Sequence, residues 1–159
     1  MPHDEVVARD LYTQAARLGH APSQCKLGDA FANGTLACPV DARSSISWYT
    51  MAANKGLGEA ELALSGWFLT GAEGVLPQSD TEAYQWARRA AAKGIANAEY
   101  AIGHYTEVGI GTPVNFDEAK RWYSKAAAQH HARAAQRLQD WKTNHSRSSP
   151  GAEKECVIM

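Results

Sequence analysis

One internal repeat constrains this chain more than any other feature of its sequence. Asp4, Asp41, Ser79 and Asn115 fall in register, each seven residues before Leu11, Trp48, Trp86 and Trp122. Fifteen residues after each register residue come Gly19, Gly56, Gly94 and, as the one departure, His130. Gly34, Gly71 and Gly109 follow after another fifteen. Only the links to the next copy vary, at seven, eight and six residues. Two fixed blocks and a short elastic one give a period of about 37 residues, in the range of units that stack on their neighbours.

Each copy reads as two helices. All four register residues are good N-caps, whose side-chain oxygen can take up an orphan backbone N–H. Two carry a glutamate three residues on, Ser79 with Glu82 and Asn115 with Glu118, in the pattern of a capping box. Small and apolar residues then recur at Ala83, Trp86, Ala87, Ala90 and Ala91, and at Ala119, Trp122, Tyr123, Ala126 and Ala127. That spacing is one stripe of an amphipathic helix. Glycine ends the helix, and His130, which tolerates the left-handed region better than most residues, replaces it in the last copy. Pro22 suits the first turn of a second helix. The stripe of that helix includes Leu27, Leu64, Ile102 and Leu138, with Ala30, Trp67, Tyr105 and Trp141 three residues later. Gly28, Ser65 and Gly103 beside it leave room for a neighbouring helix.

The expectation is therefore an all-α fold, an α-solenoid of four helix pairs and about eight helices. Repeats run over 4–40, 41–78, 79–114 and 115–145, followed by a flexible tail over 146–159 with no stripe. The first pair begins within a few residues of Met1 with no polar capping element before it. This leads us to expect the C-terminal part of a longer array, or a shortened gene model.

Composition removes several classes of function. A net charge of −1 gives no electrostatic case for nucleic acid. No apolar run approaches the length of a membrane-spanning helix, and the acidic start MPHDEVVARD does not read as a secretory signal. Cys25, Cys38 and Cys156 do not follow the period, which fits a reducing compartment and no per-repeat disulfide framework. His130, His131 and His145 lack a Cys or carboxylate at ligand spacing, so no metal or other cofactor is expected. Gly109-Ile110-Gly111 follows a helix rather than a strand, so it reads as a connector and not a phosphate loop. No acid/base pair or nucleophile–base arrangement stands out, and the chain reads as a non-enzyme. Trp48, Trp86 and Trp122 share one register and are read as core. Two N-x-[ST] sequons, at Asn33 and Asn144, would matter only in a secreted or lumenal protein.

These landmarks resemble the Sel-one-like repeat, a relative of the tetratricopeptide repeat. Ala98, Ile102-Gly103, Gly109-Ile110-Gly111, Ala119, Trp122-Tyr123 and Lys125-Ala126-Ala127 fill its pattern in order, with Thr106, Asn115 and His130 as departures. The stretch 59–91, followed by 98–111, is similar to the fungal chitin synthase activator family. That resemblance implies an adaptor that binds a membrane-embedded chitin synthase and places or activates it at sites of wall growth and septation. Septum or bud-site scaffold proteins would be further partners.

The chain closes on Cys156-Val157-Ile158-Met159. A cysteine, two aliphatic residues and a final methionine form a box of the type read as farnesylated. Cys156 would supply the thiolate, and protein farnesyltransferase and the cytoplasmic face of the plasma membrane would be its partners. One prenyl chain anchors only marginally, and Lys154 is offset by Glu153 and Glu155. The second signal is then expected from a membrane protein partner. Arg43, Gln85, Arg89 and Lys120 are exposed polar candidates on first helices, although one sequence does not single out the partner-binding residues. A generic repeat scaffold adaptor in signalling or in lumenal (ER) protein quality control is the alternative, and the lumenal form would need a signal peptide, disulfides or used sequons. An enzyme resembling secreted bacterial repeat proteins is the third, and would need a cysteine pair in each repeat.

Overall fold

The computed structural model describes residues 3–147, with side chains described as far as residue 144. The described chain is eight helices: α1 His3–Arg17, α2 Ala21–Asn33, α3 Ala42–Asn54, α4 Gly58–Thr70, α5 Asp80–Ala92, α6 Ala96–Val108, α7 Phe116–Ala128 and α8 Ala132–Arg147. Every helix pair in extensive contact is adjacent in the chain. That is how a solenoid differs from a globule, since each unit buries its face only on its neighbours. The tightest pairings join the second helix of one copy to the first helix of the next, α2 with α3, α4 with α5 and α6 with α7.

Local chemistry sets the boundaries. The Asp41 carboxylate accepts from the backbone N–H of Arg43 and Ser44, the Ser79 hydroxyl from Glu82 and the Asn115 amide oxygen from Glu118. Asp4 differs, because it lies inside the first turn of α1 rather than ahead of it. The capping boxes also close differently from expectation. The backbone N–H of each cap residue is taken by the preceding helix: Asp41 by Phe31 O, Ser79 by Phe68 O and Asn115 by Thr106 O, each at 2.9 Å. A donor that a glutamate could satisfy locally instead ties one copy to the next. At the other end, His130 takes a left-handed φ of 66°, the conformation its glycine counterparts adopt. The last helix continues to Arg147, past the end of the predicted array at 145.

Packing between copies follows a size exchange. Gly28 faces the ring of Tyr49, where a Cβ would meet Tyr49 Cδ1 at 2.6 Å, and Gly103 faces Tyr123 at 2.8 Å. At the middle joint the small Ala87 stands where the other joints have a tyrosine, and Ser65 stands at the register of the two glycines. The Ser65 hydroxyl donates to Ala83 O at 2.7 Å and lies 3.0 Å from the Tyr105 hydroxyl. Tyr105 thus reaches in from α6 to occupy space that Tyr49 and Tyr123 fill elsewhere. Burial pushes the hydroxyl pKa of all three tyrosines up, so they stay neutral donors. Alanine dominates the rest of the interior, with Ala52, Ala60, Ala83, Ala87, Ala90, Ala98, Ala119 and Ala126 fully buried. Helices lined by methyl groups approach closely at little side-chain entropy cost.

A polar stitch recurs across the joints. Glu61 on α4, 3% exposed, is paired with Lys93 at the end of α5. One copy later Glu99 accepts from Gln129, which also donates to Gly94 O at 2.9 Å. One copy earlier Gln24 stands at this register, and Lys55 donates to Gly19 O. The Gln24 amide donates to Ala16 O at 3.0 Å, and its buried Oε1 has no partner among the described residues.

Candidate functional site

A repeat scaffold presents its function on a continuous face, so the register positions that escape burial matter most. The tryptophans, read as core from their spacing, stand at the margin of the core rather than in its centre. Trp48, Trp86 and Trp122 are all half-buried, and the interior register is the next residue, Tyr49, Ala87 and Tyr123. One residue is about 100° of helix rotation, which moves the indoles from the centre of the stack to its seams. Trp86 packs against the cluster formed by Ile46, Tyr49 and Leu64, one copy back. Trp122 does the same against the cluster of Ala87 and Ile102.

Each of these two seams carries a cation over its indole. The Arg89 guanidinium sits 4.6 Å from the Trp86 ring, and Lys125 Nζ sits 4.6 Å from the Trp122 ring. Met51 holds the same register beside Trp48 and is 43% exposed. In the first copy, Leu11 replaces the tryptophan and is 61% exposed. The result is a ladder along the first helices: Leu11, Trp48, Trp86 and Trp122, with Met51, Arg89 and Lys125 beside them. Aromatic and arginine side chains, partly desolvated and held in place by packing, are the chemistry of protein–protein hot spots.

The residues singled out from sequence are distributed unevenly around this ladder. Arg89 belongs to it. Arg43 turns away and donates to Gly74 O at 3.4 Å, Gln85 is exposed on α5, and Lys120 lines a groove between α7 and α8. Met51 and Lys125 were not singled out, and only their shared register with Arg89, ten residues after the cap, could have marked them. Cys156 lies outside the described residues.

The other reactive groups have structural roles. His131 Nδ1 accepts from the Ala134 N–H at 3.2 Å, capping α8, and its ring stacks on Tyr100 at 4.8 Å. Cys25 is buried, and burial, with Asp29 and Glu59 nearby, pushes its thiol up to about 12. Burial also raises Cys38. Neither is a nucleophile at neutral pH. Among the described residues no cluster of His, Cys, Asp or Glu could hold a metal ion, and no helix is long and apolar enough to cross a membrane.

Stacked helix pairs with an exposed seam of aromatic and cationic side chains define a repeat scaffold, a class that binds other chains over an extended face. The family model for the Sel1 repeat matches residues 1–20, 21–57, 58–95 and 96–131, and the chain belongs to that family. The first unit covers α1 alone, and the other three begin at α2, α4 and α6, the second helix of a pair, half a repeat out of phase with the caps. The chain is 46% identical over 155 residues to chitin synthase regulatory factor 3 of Schizosaccharomyces pombe, covering 94% of this chain and 17% of that protein. It is 48% identical over 135 residues to the chitin synthase regulator SKT5 of Malassezia restricta, covering 85% of this chain and 9% of the relative. The chain therefore spans less than a fifth of the length of these relatives. Among solved structures, a Sel1 repeat protein from Oxalobacter formigenes superposes with a TM-score of 0.73 at 37% identity, over 84% of this chain and 99% of that one.

Proposed function

We propose that this chain is a non-catalytic adaptor that binds and positions or activates a membrane chitin synthase, with the seam ladder as its docking face. The observation that carries the reading is the register of half-buried Trp48, Trp86 and Trp122 with Arg89 and Lys125 over two of the rings, on a chain similar to named chitin synthase regulators. The ladder suits a partner segment that is aromatic or acidic, since its exposed polar groups are cations and its floor is apolar.

Membrane attachment is the second half of the proposal. Farnesylation of Cys156 by protein farnesyltransferase would place the array on the cytoplasmic face of the plasma membrane, at sites of septation or polarised growth. A single prenyl chain holds weakly, so the synthase itself supplies the second point of attachment.

Two measurements test the two halves separately. Arg89→Glu with Lys125→Glu reverses exposed charges on the ladder and leaves the interior alone. Co-purification with the synthase should drop by about tenfold or more while the helical circular dichroism is unchanged, and undiminished capture removes the ladder from the proposal. Intact mass and membrane fractionation from a fungal cell, beside Cys156→Ser, test the anchor. A farnesyl increment lost in the variant is expected, and an unmodified tail refutes it.

A further inference from the structure

In each of the first three repeats the connector after the second helix folds back onto its own first helix or the cluster that helix builds, around the register five residues past the cap position. In the first repeat that residue is Arg9, whose Nη1 donates to Ala37 O at 3.2 Å. In the second it is Ile46, in the cluster against which Ala72, Val75 and Leu76 pack. In the third it is Tyr84, and Gly111 lies so near that a Cβ there would be 2.7 Å from Tyr84 Cβ and 2.3 Å from Asp80 O. Lys120 holds this register in the fourth repeat. It is exposed and lines an open groove of about 800 Å³ with Phe116, Asp117, Leu138, Trp141 and Lys142. Phe116 at the start of α7 is 60% exposed, its ring edge-on to Trp141 at 6.2 Å. Among the described residues, a slot met by a connector three times is left open once.

Two or three residues past Gly34, Gly71 and Gly109 the connectors meet the first helix, Ala37 and Gly111 at this register and Gly74 at Arg43, three residues before it. His145 holds the glycine register in the fourth repeat, so the matching segment starts near residue 148 and lies outside the described residues. Its sequence, SSPGAEKECVIM, complements the groove. Val157, Ile158 and Met159 match a floor of Phe116, Leu138 and Trp141, and Glu153 and Glu155 match Lys120 and Lys142. Asp117 is the one acid in the lining. Length permits the return. Leu138 lies about 14 Å back along α8 from Arg147, whereas ten extended residues reach over about 30 Å, with Pro150-Gly151 as a turn signal.

The geometry points to this groove as the seat of the chain's own C-terminal segment, with Val157 and Ile158 on the Phe116–Trp141 floor and Cys156 held at its edge. The inference does not depend on lipidation of Cys156. Docking gives the thiol two states, one against the array and one extended, and a modifying enzyme needs the second.

Disulfide trapping in the unmodified 159-residue chain tests it. Asp117→Cys places a thiol in the groove. Gln136→Cys places one two residues from Leu138, about 200° around α8 and still within reach of the tail. Under mild oxidation the bond from Cys156 to Asp117→Cys should form at least about tenfold faster than the bond to Gln136→Cys, because docking raises the local thiol concentration. Adding Val157→Asp and Ile158→Asp should bring the two rates together. Matched circular dichroism shows that the variants fold, and peptide mapping identifies the linked pair. Equal rates in the parent pair, or a preference that survives the two aspartates, overturns the inference.

Discussion

At His130 the chain places an imidazole side chain where its other copies place hydrogen. A φ of 66° costs a non-glycine residue on the order of 1–2 kcal/mol, and glycine loses part of that gain to its unfolded-state entropy. His130→Gly should therefore stabilise the chain by about 1 kcal/mol, read as a rise in the midpoint of urea unfolding at constant slope. Removing a cap works in the other direction. Ser79→Ala loses the bond to Glu82 N and should cost about 1 kcal/mol in the same assay. The buried thiol of Cys25 gives a pH prediction. Its folded value, near 12, lies above its ordinary 9.0. Below pH 9 both states hold the proton and the stability is intact, and as pH rises towards 12 the unfolded state ionises first and stability falls. Cys25→Ser should remove the part of that limb that begins near pH 9 and leave the part that the three buried tyrosines contribute above pH 10, seen by following the urea midpoint from pH 8 to 11.

The helices were legible in the sequence, because caps, glycine stops and the stripe are local signals that agree with one another. What lay between the helices was not. Spacing finds a stripe but not which edge of it faces the centre, which is why Trp86 reads as core while Ala87, one residue on, is the buried one. The partnership of Gly28 with Tyr49 joins residues of different copies, and neither residue type signals the other. The same holds for the stitch, whose members Glu61 and Lys93 stand 32 residues apart. Lys93→Gln should destabilise by about 1 kcal/mol, since Lys93 is itself 40% exposed and screening reduces the value of the pair. Adding Glu61→Gln should recover most of that loss, because glutamine already serves the matching registers of the other joints at Gln24 and Gln129. A double-mutant cycle on chemical unfolding would show the coupling, and additive losses would mean that the stitch contributes nothing.

Over the whole molecule, stability is a sum of units and joints rather than one shared core. Its ends are unequal to its middle. Leu11 in α1 and Leu18 just after it are 61% and 90% exposed, and α8 packs substantially on α7 alone, whereas α4 to α6 are packed from both sides. Hydrogen exchange should therefore be fastest in α1 and α8 and slowest in α4 to α6, a gradient that peptide-resolved mass spectrometry would detect. Uniform protection would contradict the additive picture. The candidate site was legible only in part at this scale. Arg89 stood out as an exposed cation, but the ladder it joins emerges only when the copies are stacked.

The ties made by the cap residues bear on how such an array could carry a signal. A backbone bond from Asp41, Ser79 or Asn115 pins one end of each joint to the helix before it, and at the last two joints Lys93 or Gln129 fastens the other end. A hinge needs one free edge, and a joint held at both edges can twist only as a stiff torsion element. A partner that grips the seam at one end would therefore swing the other end as a lever, turning a local grip into a displacement of whatever the far end carries.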